Sequence, residues 1–145
     1  MGARSPFYVR RRLSVQCGVP PSLDDIDRIA RSALAHLPEP FLSHVSGILV
    51  RVEEFCDAET EVELALDSPF DLLGLYRGVS LDRKSVIDPN PHFDAIFLYR
   101  RPILDYWCET GEDLEHVVRH VLLHEIGHHF GFSDDDMHRI ENGPD

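Results

Sequence analysis

The apolar positions of this 145-residue chain fall into two long helical patterns separated by short β-rich runs. Ile26, Ile29, Ala30, Ala33, Leu34 and Leu37 recur at intervals of three and four, which on a 3.6-residue helix makes one apolar stripe. Ser22 followed by Asp25 reads as a capping box at the start of that helix, and Pro38 and Pro40 close it near Leu37. The second pattern predicts a helix over 111–130, opened by a capping box of Thr110 and Asp113. From Val117 to Phe132 it is apolar nearly all round, with Arg119 and Glu125 the only formally charged groups, so it should be buried. Between the two, residues 45–52 predict a strand covered on both faces, 72–79 (LLGLYRGV) a short strand with two glycines, and 94–100 (DAIFLYR) a clearer apolar strand. The acidic stretch 57–66 predicts a short exposed helix, and Asp88-Pro89-Asn90-Pro91 a loop. After residue 132, Ser133 with Asp136 caps a short last helix packed through Met137 and Ile140.

Composition places these elements in one unit. Hydrophobic residues make up 43% and charged residues 28%, ordinary for a soluble globular domain, and there is no internal repeat. The division expected is a flexible basic arm over 1–20 and a single domain over 21–145. No apolar run approaches the roughly 20 residues of a membrane span, and the arginine-bearing N-terminus lacks the apolar core of a secretory signal. Pro6 stands where a myristoylation motif needs Ser or Thr. A cytoplasmic protein is the expectation. Cys17, Cys56 and Cys108 are odd in number and outside any metal spacing, which reads as small buried hydrophobes in a reducing compartment.

The net charge of −12 is unevenly spread: residues 1–20 hold four arginines and no acid, leaving −16 on the remainder. An acidic body repels phosphates, so a nucleic-acid role would have to rest on the short arginine arm alone and no nucleic-acid partner is expected; no membrane partner is expected either, and the acidic field favours neutral or basic peptides.

The chemistry lies in residues 124–134, which read HExxHxxGxxD. His124 and His128, four apart on a helix, lie one above the other and can reach one metal ion. Glu125 is rotated about 100° from His124, beside the metal and within reach of a zinc-activated water, where it is the natural general base. Gly131 suits a left-handed residue ending the helix, and the reversal carries Asp134 back toward the metal. Two imidazoles and a carboxylate leave the fourth position of Zn2+ open, the arrangement of a catalytic site. Histidines at 116, 120, 124 and 128 form a ladder, but only the pair 124/128 places a glutamate in the base position; pairing 120 with 124 would put Val121 there. His129 reads as a core or supporting imidazole and His120 as a partly solvated one.

The motif, together with segments 68–78 (SPFDLLGLYRG) and 94–107 (DAIFLYRRPILDYW), resembles the minimal zincin-like metallopeptidases over most of residues 22–142. The resemblance implies an α+β minimal zincin-like fold. A small mixed β-sheet of about three to four strands would pack on the N-terminal helix and the buried active-site helix, followed by a short C-terminal helix. It also implies His124, His128 and Asp134 as zinc ligands, Glu125 as base, and a peptide or protein substrate extended along a sheet edge, for which 72–79 is the candidate. Met137 comes too soon after the motif to be equated with the Met-turn of larger relatives. Tyr76, Tyr99, Tyr106, Arg77 and Arg100 are candidate oxyanion donors, each with a structural reading as well. Two other classes compete. One is a metal-dependent RNA hydrolase with a related histidine spacing, against which the missing glutamate of that class and the acidity here both argue. The other is a non-catalytic zinc-stabilised interaction domain.

Overall fold

The computed structural model of the chain describes residues 18–39, 41–78, 94–131 and 135. The basic arm, the loop at 88–91 and the last helix lie wholly or largely outside them. The first helix, α1 (Leu23–Ala35), opens on the expected box: Asp25 N donates to Ser22 Oγ at 3.0 Å and Ser22 N donates to Asp25 Oδ2 at 2.8 Å. Two orphan amides of the first turn are thereby satisfied. Ile26 and Ala30 of its stripe are fully buried, with Ile29, Ala33, Leu34 and Leu37 packed around them.

A short helix, α2 (Phe41–Val45), takes the first residue of the run expected to be strand, and β1 is confined to Leu49–Glu53. Nor is β1 covered on both faces. Val50 is buried while Leu49, Arg51 and Glu53 are exposed, the period-two pattern of a half-covered strand. The continuous Ile-Leu-Val spelling hid an alternation that Arg51 and Glu53 complete. Next, α3 (Ala58–Glu63) is the predicted acidic helix, capped by Asp57, whose side chain accepts from Thr60 N at 2.7 Å.

After a single 3-10 turn over Pro69–Asp71, β2 (Gly74–Arg77) and β3 (Ala95–Tyr99) fall inside the predicted runs. The three strands form one mixed sheet in the order β1-β3-β2, β1 parallel and β2 antiparallel to the central β3. Register aligns Val50, Ile96 and Tyr76 in one row and Val52, Leu98 and Gly74 in the next. Those rows share one face of the sheet, since side chains two apart point the same way.

A helix that the sequence pattern did not suggest, α4 (Arg100–Thr110), follows β3 without a loop. Pro102 stands in its first turn, where a missing amide costs nothing. It ends on Gly111 at φ 68°. Thr110 therefore finishes α4 and does not cap the next helix: its hydroxyl donates to Tyr106 O at 2.9 Å and accepts from Glu112 N at 3.4 Å. The following helix, α5 (Leu114–His129), starts at Asp113 with no side-chain cap bond. Cys56 is buried as expected, but Cys108 is exposed, because it lies across α4 from the buried Pro102 and Ile103.

Both α1 and α5 cover the same sheet face, α1 on β1 and α5 on β2 and β3, and they also pack on each other. The core is their shared interior: Ile26 and Ala30, Val50, Ile96 and Leu98, Val117, Val118, Val121, Leu122 and Ile126, with Ile103 from α4. The burial expected all round α5 holds only on this inner side. Glu115, His116, Arg119 and His120 form an exposed flank. Among the described residues no helix is long and apolar enough to cross a membrane.

Candidate metal centre

The strand β2 carries Gly74 and Tyr76 on the face that meets α5, and its two contacts with the helix are ordered along the chain. A Cβ built on Gly74 would stand 2.6 Å from Val121 Cγ1 and 3.4 Å from Glu125 Cγ, so only glycine lets strand and helix approach this closely. One step further, Tyr76 meets His129: the ring centroids are 5.6 Å apart. Two strand residues advance about 6.7 Å and four helix residues about 6 Å. Hence α5 runs alongside β2 in the same direction, with Glu125 over Gly74 and His129 over Tyr76.

That alignment turns His124 and His128 to one side of the contact and Glu125 toward the strand. The rings of His124 and His128 are 5.0 Å apart at 82°. One ligand atom from each of His124, Glu125 and His128 lies within 4.8 Å of the others. Tetrahedral bonds of 2.0–2.1 Å separate two zinc-bound nitrogens by roughly 3.4 Å, so small rotations of the two imidazoles suffice. The donor set fits a zinc-class ion. Glu125 is buried at 8% exposure while both histidines are half-buried, a carboxylate sunk beside a partly open pair of imidazoles. The other two histidines of the ladder, His116 and His120, stand on the exposed flank, outside the group. A cavity of about 830 Å³ between α1 and α5 opens on that flank, lined by Ile29, Leu37, Phe41, His116, His120 and Phe130 among others. None of the three grouped residues lines it, so the cavity and the metal group are separate features.

Beyond His128, Gly131 takes φ 81° and its amide donates to His128 O at 3.0 Å, the left-handed helix end that the spacing predicted. Asp134, the expected third ligand, lies outside the described residues.

The sequence reading missed a buried polar group behind this site. Tyr76 Oη donates to Asp94 Oδ1 at 2.9 Å and lies 3.1 Å from His129 Nδ1; His129 Nδ1 is also 3.7 Å from Asp94 Oδ2. The phenol has one proton and gives it to Asp94, so the imidazole Nδ1–H donates to the phenol oxygen. Burial, then the Asp94 carboxylate, push the Tyr76 phenol well above its ordinary range, which keeps that proton in place. The expectation that His129 is a supporting imidazole agrees with its 2% exposure. A signal existed for Tyr76, since Gly74, Tyr76 and Gly78 alternate onto one face, but its partners are 18 and 53 residues away.

Three of the oxyanion candidates are engaged elsewhere. Tyr76 serves Asp94, and Arg77 forms two bonds to Glu63 at 2.9 and 2.6 Å. Arg100 spans Pro21 O and Glu54, tying the residue after β1 to the entry of α1. Tyr99 is buried at 3% exposure, its phenol pushed up to about 12 by burial. Tyr106 is exposed on α4.

Residues 45–143 match the family described as zincin-like metallopeptidase. A comparison with curated proteins finds no match.

Proposed function

The chain belongs to the zincin-like metallopeptidase family, and from that membership we propose that it is a zinc-dependent peptidase, hydrolysing peptide bonds with Glu125 as general base. The observation that carries the reading is the approach of one ligand atom each of His124, Glu125 and His128 to within 4.8 Å of one another, on the helix that packs against β2. His124 and His128 hold the metal, with Asp134 as third ligand.

A zinc ion in that place supplies Lewis acidity, polarising the scissile carbonyl and lowering the pKa of water toward ~7. The remaining tasks fall to the chain. Glu125 takes the proton from the attacking water and passes it to the leaving amine. Gly74 leaves room for Glu125 on the strand, since a Cβ there would stand 3.4 Å from Glu125 Cγ. β2 is paired with β3 on one side only among the described residues, and an extended peptide would add to the other side by strand pairing. Substrate and base would then be referenced to the same four-residue strand.

The test is Glu125→Gln. It should retain one equivalent of zinc while turnover of a mixed peptide library falls by roughly 10²–10⁴. Zinc retained with no wild-type cleavage of any peptide would instead favour a non-catalytic zinc-stabilised domain. Asp134→Ala should weaken zinc binding, and a stoichiometric, equally tight zinc in that variant would remove Asp134 from the ligand set.

A further inference from the structure

Three groups close over the last turn of α5. Tyr76 comes from β2, Asp94 from the residue before β3, and His129 from the helix itself. Asp94 and His129 are 6% and 2% exposed. Polar groups so deeply buried are costly unless mutually bonded, and breaking one member strands the others. Space has been made for them: a Cβ on Gly78, at φ 154°, would collide with Asp94 Oδ1 and stand 2.9 Å from Tyr76 Oη. Neither Asp94 nor His129 belongs to the group of His124, Glu125 and His128. His129 nevertheless follows His128 directly, and the backbone of that turn carries both rings. Gripping one imidazole from the sheet fixes the rotation of the turn and hence the direction of the other.

On the proposed metal reading, we propose that Tyr76 and Asp94 are positioning residues for the metal centre. Through His129 they hold the final turn of α5 in the register over β2 that brings His128 to the same point as His124 and Glu125. Gly74 sets the spacing of helix and strand at Glu125; the Tyr76–Asp94–His129 group sets the rotation one turn later. An apolar contact would keep the helix on the sheet but would not specify that rotation, because hydrogen bonds are directional and dispersion is not.

The test compares zinc affinity with the stability of the metal-free protein. Tyr76→Phe removes one oxygen and keeps the ring against His129. Val50→Ala, on β1 and away from the group, serves as a destabilised control. Zinc dissociation constants come from chelator competition, and metal-free stability from thermal unfolding. Partners that orient a ligand typically matter by about 10–100-fold in metal affinity. Tyr76→Phe should weaken zinc by about 10-fold or more and Asp94→Ala by at least as much. Asp94→Asn keeps an oxygen to accept from the phenol and should recover part of the loss. Val50→Ala should lower the unfolding temperature while binding zinc as the wild type does. Wild-type affinity in Tyr76→Phe, or an equal loss in Val50→Ala, would overturn the positioning role and leave the metal site standing. A wild-type protein that takes up no zinc would overturn the metal reading and this inference together.

Discussion

Replacing Gly74 by alanine tests the strand-to-helix contact on which the whole site is registered. The new Cβ would lie 2.6 Å from Val121 Cγ1 and 3.3 Å from Phe97 O. Neither neighbour can yield cheaply. Valine in a helix has essentially one rotamer, and Phe97 O belongs to the central strand, which is paired on both sides. Relief must come from β2 moving off α5. Overpacking of this kind costs about 1–3 kcal/mol, offset by about 0.5–1 kcal/mol because alanine has less chain entropy to lose than glycine. At the middle of both ranges the net cost is about 1 kcal/mol, a fall in unfolding temperature of about 2–4 °C at 2–4 °C per kcal/mol for a domain near this size. Thermal unfolding of the metal-free protein measures it, in a cycle with Val121→Ala. Truncating Val121 removes the colliding methyl, so Gly74→Ala should be close to neutral in that background, with a coupling of about 1 kcal/mol or more between the sites. Equal destabilisation in both backgrounds would refute the proposed contact, as would a Gly74→Ala protein as stable as the wild type. Because Glu125 Cγ lies 3.4 Å from the same point, the single variant should also lose peptide turnover, with partial recovery in the double variant.

Two further outcomes follow from the caps. Ser22→Ala removes the acceptor for Asp25 N and should cost about 1 kcal/mol in denaturant unfolding with an unchanged slope. Asp57 is held below its ordinary value of 3.8 by hydrogen bonds from the Thr60 side chain and then its backbone amide, and Asp25 is lowered by the Ser22 amide and then its hydroxyl. A depressed folded pKa means that the unfolded chain takes up the proton first as pH falls. The stability contributed by each cap is therefore fully present above about pH 4 and lost as pH drops through the folded value. Asp57→Asn should flatten part of that acid loss, and an unfolding temperature with the wild type's pH dependence below 4 would contradict it.

Much of the site was legible because its chemistry is local. His124, Glu125 and His128 sit within one and a half helical turns, so the 3.6-residue repeat alone brings them together. The α1 capping box and the left-handed Gly131 are likewise settled by neighbours three residues away. Reading failed where a local signal had two owners. Thr110 and Asp113 spell a box, but Gly111 between them ends α4 first, and a residue at φ 68° cannot belong to the opening turn of the next helix. The strand pattern of 94–100 likewise gave no sign of α4, which starts at Arg100, inside that run, and holds Pro102 in its first turn, where proline is tolerated.

What no local pattern carries is the registry between elements, and here that registry is concentrated on one short strand. The inner face of β2 offers Gly74 to Glu125 and Tyr76 to His129, while its outer edge is paired with no strand among the described residues. If a peptide is read from that edge, as proposed, its backbone and α5 share a single reference. A displacement of β2 would carry the substrate and leave the helix behind, or drag both. The Tyr76–Asp94–His129 group favours the second outcome, since it bonds strand, sheet core and helix into one body. In so small a domain, with three strands and no further layer among the described residues, rigidity at the site has to come from such shared residues more than from bulk. The glycines of LLGLYRG are then not strand breakers but the two places where the strand is thin enough to be locked to its neighbours.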